Sequence, residues 1–392
     1  MLTSLALIFL CGMLLGGLFQ KIKLPSLLGM LITGIALSPY AFNLLDDSIL
    51  NISSDLRRLA LVIILTRAGL SLNIDDLKKV GRPALLLTFV PACFEIIGIV
   101  LIAPFLFGIS ILDAAIMGSV VAAVSPAVIV PRMIHMIEEK YGTKKQIPQM
   151  ILAGASVDDV FVIVLFTAFV GMAQGGTMSA SQFLKVPVSI VTGILLGFIT
   201  GWVLSLVFKK MHIRDSAKVL VILSISFLLL ELETRIEDVL PLSGLLAIMS
   251  MGIMVAKSYG ILAVRLSAKY NKLWVAAEVL LFVLVGATVD LSYALDAGLL
   301  AICVVIVGLI FRMTGVIVSL IKTKLNRKER SFCMVAYTPK ATVQAAIGAI
   351  PLSMGLSSGK LILTVAVLSI LITAPFGAIC VDRLYEKWLT RG

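Results

Sequence analysis

Residues 151–171 read ILAGASVDDVFVIVLFTAFVG, and Asp158 and Asp159 are the only charged residues in them. The stretch is long enough to cross a bilayer as a helix, for which about 20 apolar residues are needed. An ionised carboxylate in hydrocarbon costs roughly 2.5–3.5 kcal/mol even on lenient insertion scales. Two such groups kept side by side point to use with an ion or a proton.

Working outward, the rest of the chain has the same character. It is 60% apolar and 14% charged over 392 residues, with a mean hydropathy of +1.09. A soluble protein of this length would keep a charged surface. Apolar runs of spanning length instead recur throughout, which predicts an all-α polytopic membrane protein. The five cysteines, Cys11, Cys93, Cys303, Cys333 and Cys380, lie in or beside apolar runs with no C-x-x-C pair. They read as small hydrophobes and exclude a disulfide framework. His135 and His212 lie in polar connections, which argues against a histidine metal site. No cofactor is expected.

Hydropathy and helix breakers predict thirteen transmembrane helices, at 2–19, 24–40, 57–73, 83–107, 111–134, 147–173, 183–208, 217–233, 240–257, 272–289, 295–321, 331–353 and 360–383. Arg67 interrupts the third, and Glu231 and Glu233 crowd the end of the eighth. Residues 258–271 are expected to hold a short interfacial helix with Arg265 and Lys269 on its polar face. The first run lacks a preceding basic residue and a clear cleavage site, so it reads as a spanning helix and not a signal peptide.

The basic residues orient these spans. Of 33 Lys and Arg, 25 fall in one alternate set of connections: 21–23, 78–82, 132–145, 209–218, 257–272, 322–330 and 383–391. The other set holds five, Arg57, Arg58, Lys185, Arg235 and Lys360, and Arg67, Arg312 and Lys340 lie within spans. The positive-inside rule then predicts an outside N-terminus and a cytoplasmic C-terminus in the cell (inner) membrane. The net charge of +11 reads as this topology signal facing anionic lipid, not as nucleic-acid binding.

Four further features join the aspartates: Glu95 in VPACFEIIGIV, Arg312 in VGLIFRMTGVIV, Lys340 after Pro339 in VAYTPKATVQAAIG, and Ser125-Pro126 in AAVSPAVIVP. Each alone has a bland reading, since a lone Lys or Arg can snorkel to the interface and a membrane proline often only kinks its helix. Their arrangement says more. Divided at the seventh span, the chain shows Glu95 opposite Arg312, Ser125-Pro126 opposite Thr338-Pro339, and the sixth span opposite the thirteenth. An offset of seven helices inverts one half against the other. The prediction is therefore two inverted six-helix repeats, 1–182 and 210–392, joined by a linker helix at 183–209, within a single transporter unit. Paired discontinuous helices at such an interface mark the binding site of many secondary transporters.

Proline removes an N–H and frees carbonyls in the preceding turn, while half-helix ends carry partial charges. Ser125, Thr338 and Gln344 could serve either that freed backbone or an ion. Glu95 and Arg312 are placed for an ion pair, read first as a clamp. Asp158 and Asp159 lie about 100° apart around a helix, so they cannot face the same point. Two acids and one amine together can hold protons or a hard monovalent cation, and competition of both for the same oxygens is the basis of antiport.

These residues carry a resemblance. LPSLLGMLITGI (24–35), AVSPAVIVP (123–131), GASVDDV (154–160), FVLVGATVDL (282–291) and TPKATVQAAIG (338–348), in this order over essentially the whole chain, resemble the monovalent cation/proton antiporters, specifically the sodium/proton exchangers of the NHA-like branch. The resemblance implies exchange of Na+ or Li+ for H+ by alternating access, and a homodimer whose ion-carrying core moves in an elevator-like cycle. It makes Asp159 the carboxylate that binds cation and proton in turn, Asp158 its companion at the Na+ site, Lys340 the salt-bridge partner of Asp158, and Glu95–Arg312 a structural ion pair. An Asp-Asp pair with Lys is associated with electrogenic exchange and a Glu–Arg pair with electroneutral exchange. The chain carries both, so stoichiometry stays open. Ser125-Pro126 also stands where many relatives place Thr-Asp-Pro, which removes one carboxylate ligand. The alternatives are K+/H+ exchange or a sodium-coupled solute symporter of related fold. An intramembrane aspartyl protease would need an aspartate on each of two facing helices and a G-x-G-D motif, and no such motif occurs.

Overall fold

The computed structural model describes residues 1–71, 81–174, 180–211, 213–236 and 240–392. Lys78, Lys79 and His212 lie outside the described residues, as does the side chain of Lys185. In chain order the helices are α1 (Leu2–Lys21), α2 (Ser26–Leu37), α3 (Asp47–Asn51), α4 (Ser53–Ser71), α5 (Arg82–Leu87), α6 (Val90–Phe107), α7 (Ile111–Val121), α8 (Pro126–Glu138) and α9 (Ile147–Gln174). They continue as α10 (Ala180–Lys210), α11 (Asp215–Ile236), α12 (Gly244–Ser258), α13 (Gly260–Ala287), α14 (Leu291–Ser319), α15 (Arg327–Ala336), α16 (Thr342–Ile347), α17 (Ile350–Ser353) and α18 (Gly359–Trp388).

Among the described residues, 8 helical segments are long and apolar enough to cross a membrane, and Ser26–Leu37, Gly244–Ser258 and Thr342–Ser353 are shorter apolar helices. The expected thirteen is not reached by that measure. Its shortfall includes α4 and α11, whose charged residues (Arg57, Arg58 and Arg67; Glu231, Glu233 and Arg235) dilute their apolar surface.

The expected breaks are present. Helix α7 stops at Val121 and α8 starts at Pro126; α15 stops at Ala336 and α16 starts at Thr342. A third break was not expected. The run read as one helix from 83 to 107 is divided into α5 and α6, with Phe89 outside helical geometry at φ −141 ψ −33. Pro91 lies in the first turn of α6. It cannot donate to the carbonyl of Leu87, the i−4 bond a continuous helix would need. The interfacial helix expected at 258–271 is likewise replaced. Nothing breaks the chain between Gly260 and Ala287, and Arg265 and Lys269 ride on the single long helix α13.

The chain forms two compact units. One comprises Met1–Ser54, Ile74–Val162 and Val279–Gly392; the other comprises Asp55–Asn73 and Ile163–Glu278. The second is held by close approach of α10 and α12. Gly193, Gly197 and Gly201 recur every four residues and so share one face. A Cβ at these positions would lie 2.6, 2.3 and 2.5 Å from the carbonyl oxygens of Ser243, Ala247 and Met251. Small residues at this spacing are how membrane helices gain backbone-to-backbone packing where no hydrophobic effect drives association.

In the first unit, α6 packs along α14, and both α15 and α18 pack against neighbouring helices around a buried apolar cluster that includes Val124, Ile129, Met133, Ile151, Phe332 and Tyr337. Helix α15 opens with a capping box in which Asn326 and Glu329 satisfy each other's backbone N–H, and Lys145 pairs with Glu329 at 2.8 Å. The cluster reaches the residues of both helix breaks, Val124 and Tyr337, and so seats the crossing firmly.

Candidate ion-binding site

The two breaks touch directly. The backbone N–H of Ser125 donates to the Pro339 carbonyl at 2.8 Å. Gln344 closes the crossing from α16: its amide donates to the carbonyls of Val121 and Ala123 at 3.0 and 2.9 Å, while its oxygen accepts from Ala341 N–H at 2.8 Å. Of the two roles left open for Gln344, the geometry is that of a backbone cap. Thr338 is similar, its hydroxyl donating to Val335 at the end of α15 at 2.8 Å. Gly377 on α18 makes room for this segment, since a Cβ there would meet the Pro339 ring at 2.3 Å and the Thr338 hydroxyl at 2.8 Å.

Four buried charges lie at the crossing. Glu95, Asp158 and Lys340 are fully buried and Arg312 is 1% exposed. Arg312 reaches Glu95 through Nη1 at 2.9 Å and Asp158 through Nη2 at 2.8 Å. Its Nε donates to the Tyr337 carbonyl at 2.7 Å, and Nη1 also donates to the Ala122 carbonyl. One guanidinium thus binds a carbonyl freed at each break and two carboxylates at once. Its planar fork of five donors makes this possible, where a lysine's point charge would not.

Glu95 and Arg312 are therefore brought together, as their matching positions suggested. The expected Lys340–Asp158 pair is not what forms. Lys340 Nζ lies 2.5 Å from Glu95 Oε2, and Asp158 is taken by Arg312 and by the backbone N–H of Val124 at 2.8 Å. Lys340 is anchored by its own N–H on the Thr373 hydroxyl at 2.9 Å, and Arg312 and the Val124 N–H both bind the same Asp158 oxygen, Oδ2. Two acids and two bases are thus paired among themselves, leaving one oxygen of each acid, Glu95 Oε1 and Asp158 Oδ1, without a partner.

Asp159 stands outside that set. It has no ion pair or hydrogen bond among the described residues, and its Oδ1 is buried without a partner. Ser125 Oγ and Asp158 Oδ1 are also buried and unpartnered. Ser125 occupies the N-cap of α8, where a serine usually caps, yet its hydroxyl makes no cap bond. Pro126 follows directly and has already removed one of the N–H groups at that end. Unsatisfied buried oxygens are costly to keep, and Glu95 Oε1 and the Tyr337 hydroxyl are buried without a partner there as well.

Tyr337 was not marked by its sequence. It is fully buried, its ring lies 5.5 Å from the Arg312 guanidinium, and its hydroxyl faces Gly154, where a Cβ would lie 2.1 Å away. Only its place beside the Thr338-Pro339 break could have pointed to it.

The family described as "Sodium/hydrogen exchanger, transmembrane" matches residues 5–387. The human sodium/hydrogen exchanger 9B2 is 31% identical over 412 residues, spanning 100% of this chain and 75% of that protein. The human sodium/hydrogen exchanger 9B1 is 30% identical, spanning 100% of this chain and 78% of its own length. The solved structure of the sodium proton antiporter MjNhaP1 from Methanocaldococcus jannaschii at pH 8 superposes with a TM-score of 0.84, covering 98% of this chain and 97% of that one at 19% identity, so it shares the fold. The chain is a multi-pass membrane protein of the sodium/hydrogen exchanger family, within the monovalent cation/proton antiporters.

Proposed function

We propose that this protein exchanges Na+ for H+ by alternating access, with Asp159 binding the cation and the proton in turn. One observation carries the reading: of Glu95, Asp158 and Asp159, only Asp159, partly buried with Oδ1 shielded, has no cationic partner among the described residues. A group locked in ion pairs cannot release its charge cheaply, whereas Asp159 can trade a proton for a cation. The unpartnered oxygens of Ser125 and Asp158 support them as further ligands. Thr338 serves its own helix end, and Glu95, Arg312 and Lys340 keep the crossing assembled. Li+, which has the same charge and prefers the same oxygen donors, is a second cargo of this site.

Because Lys340 and Asp158 are each held by another partner, neither contributes a second travelling proton, and the proposed stoichiometry is one H+ per Na+. The family match favours this reading over potassium exchange or solute symport. The homodimer, the elevator-like cycle, the inverted repeats at 1–182 and 210–392, and a cell-membrane location with the C-terminus in the cytoplasm belong to the same proposal. The matched breaks at Ser125-Pro126 and Thr338-Pro339 and the lopsided distribution of Lys and Arg support them.

Asp159→Asn tests the assignment. In proteoliposomes carrying an imposed pH gradient, addition of Na+ should dissipate the gradient with wild-type protein and fail to do so with the variant. Full Na+-driven proton movement by a correctly folded Asp159→Asn protein would overturn the role of Asp159.

A further inference from the structure

One hydroxyl at the crossing takes no part in the network of charges. Tyr337 is fully buried, and its Oη has no hydrogen-bond partner among the described residues. The rest of the residue is committed to Arg312: the Tyr337 carbonyl accepts from Nε at 2.7 Å, and the ring lies 5.5 Å from the guanidinium. The hydroxyl is thereby carried to a fixed place. It stands over Gly154 of α9, where any Cβ would collide with it and with Leu87.

Gly154 lies four residues before Asp158. Residues so spaced share a helix face, about 6 Å apart along the axis. Helical side chains lean towards the N-terminus, so Asp158 leans over the turn that Tyr337 covers. Arg312 and the Val124 N–H hold Asp158 Oδ2, while Oδ1 is buried without a partner. A free donor and a free acceptor thus share one face of α9, one turn apart. The bland reading is that Tyr337 only fills the apolar cluster to which it belongs. Phenylalanine would fill it as well, with no buried hydroxyl to satisfy.

We propose that Tyr337 is a positioning residue of the cation site: its hydroxyl holds a water against Asp158 Oδ1, and that water faces the bound cation. This role rests on Asp158 serving the Na+ site as proposed above. The phenol O–H donates to the water and the water donates to Oδ1, which leaves the water's second lone pair for the cation. A bridge of this kind is nearly as favourable as a direct hydrogen bond. It fixes Oδ1 and the water before the cation arrives.

Tyr337→Phe keeps the ring and removes only the hydroxyl. In proteoliposomes with an imposed pH gradient, the Na+ concentration giving half-maximal proton movement should rise about fivefold, the equivalent of one neutral hydrogen bond. The maximal rate should stay near wild type, and so should the melting temperature in Na+-free detergent solution. An unchanged half-maximal Na+ concentration would overturn the proposal. So would a lower maximal rate at unchanged Na+ dependence, or a lower Na+-free melting temperature, since either marks a packing role. Asp159→Asn, assayed alongside, keeps the two assignments apart. Exchange that survives in Asp159→Asn removes the role of Asp159, while a fivefold shift in Tyr337→Phe still supports the water bridge. Wild-type protein indifferent to Na+ would remove both.

Discussion

Arg312 does at the residue scale what neither proline nor aspartate can do alone. Two helix breaks leave carbonyls without partners, and two buried carboxylates beside them would repel; one guanidinium answers both needs. Removing one partner from a buried ion pair costs about 3–5 kcal/mol because the remaining charge is stranded. Arg312→Met should therefore lower unfolding stability by about that amount, measured by thermal unfolding in detergent, while Asp159→Asn should leave stability near wild type. Lys340 and Glu95 offer a sharper check through their coupling. Each single neutralisation, Glu95→Gln or Lys340→Met, unbalances the set by one charge, and the double substitution restores neutrality. The double variant should be less destabilised than the sum of the singles by about 0.5–3 kcal/mol. Strict additivity would mean the four charges do not act as one network.

Helix ends carry the next level of explanation. Asp290 caps α14, accepting from the Ser292 hydroxyl at 2.6 Å and the Tyr293 N–H at 3.2 Å, with Lys360 at 3.2 Å. The Ser292 hydroxyl, then the Tyr293 N–H, hold its carboxyl down at about 2, well below the usual aspartate range. A depressed folded-state value stabilises above the unfolded value of about 3.8 and loses that effect as pH falls towards 2. The melting-temperature gap between wild type and Asp290→Asn should thus be constant above about pH 5 and shrink between pH 4 and 2; a gap independent of pH over that window would remove the cap from the account. How much of these elements could be read beforehand follows from how local their causes are. Pro126 and Pro339 announce their breaks because a missing N–H acts on the adjacent turn. Asp158, Asp159, Glu95 and Arg312 announce themselves because a charge in hydrocarbon is costly wherever it sits. The pairing among them is not local. Whether Lys340 reaches Glu95 or Asp158 depends on the Thr373 anchor and on Arg312 arriving from another helix, which no spacing along the chain encodes. The break before α6 was missed for a different reason: Pro91 in a long apolar run reads equally well as a tolerated kink.

On the scale of the whole molecule, the compact unit holding the crossing draws Met1–Ser54 and Ile74–Val162 from one half of the chain and Val279–Gly392 from the other. Each half supplies one broken helix, and each supplies one member of the Glu95–Arg312 pair, so neither half can make the proposed site alone. That interdependence bears on stoichiometry. On the proposed function, with Glu95, Asp158, Arg312 and Lys340 paired among themselves, the charge carried per cycle would fall to Asp159, holding either one cation or one proton and equally charged in both journeys. A one-for-one exchanger is blind to voltage. In proteoliposomes clamped with a potassium gradient and valinomycin, the steady-state Na+ ratio reached at a fixed pH difference should be the same at zero and at 100 mV. Two protons per Na+ would move one net charge, worth about 2.3 kcal/mol per 100 mV, and would shift that ratio by about fiftyfold. A shift of that size would return Asp158 or Lys340 to the transport cycle as a second proton carrier, and the ion pairs that hold them here would have to open during each turnover.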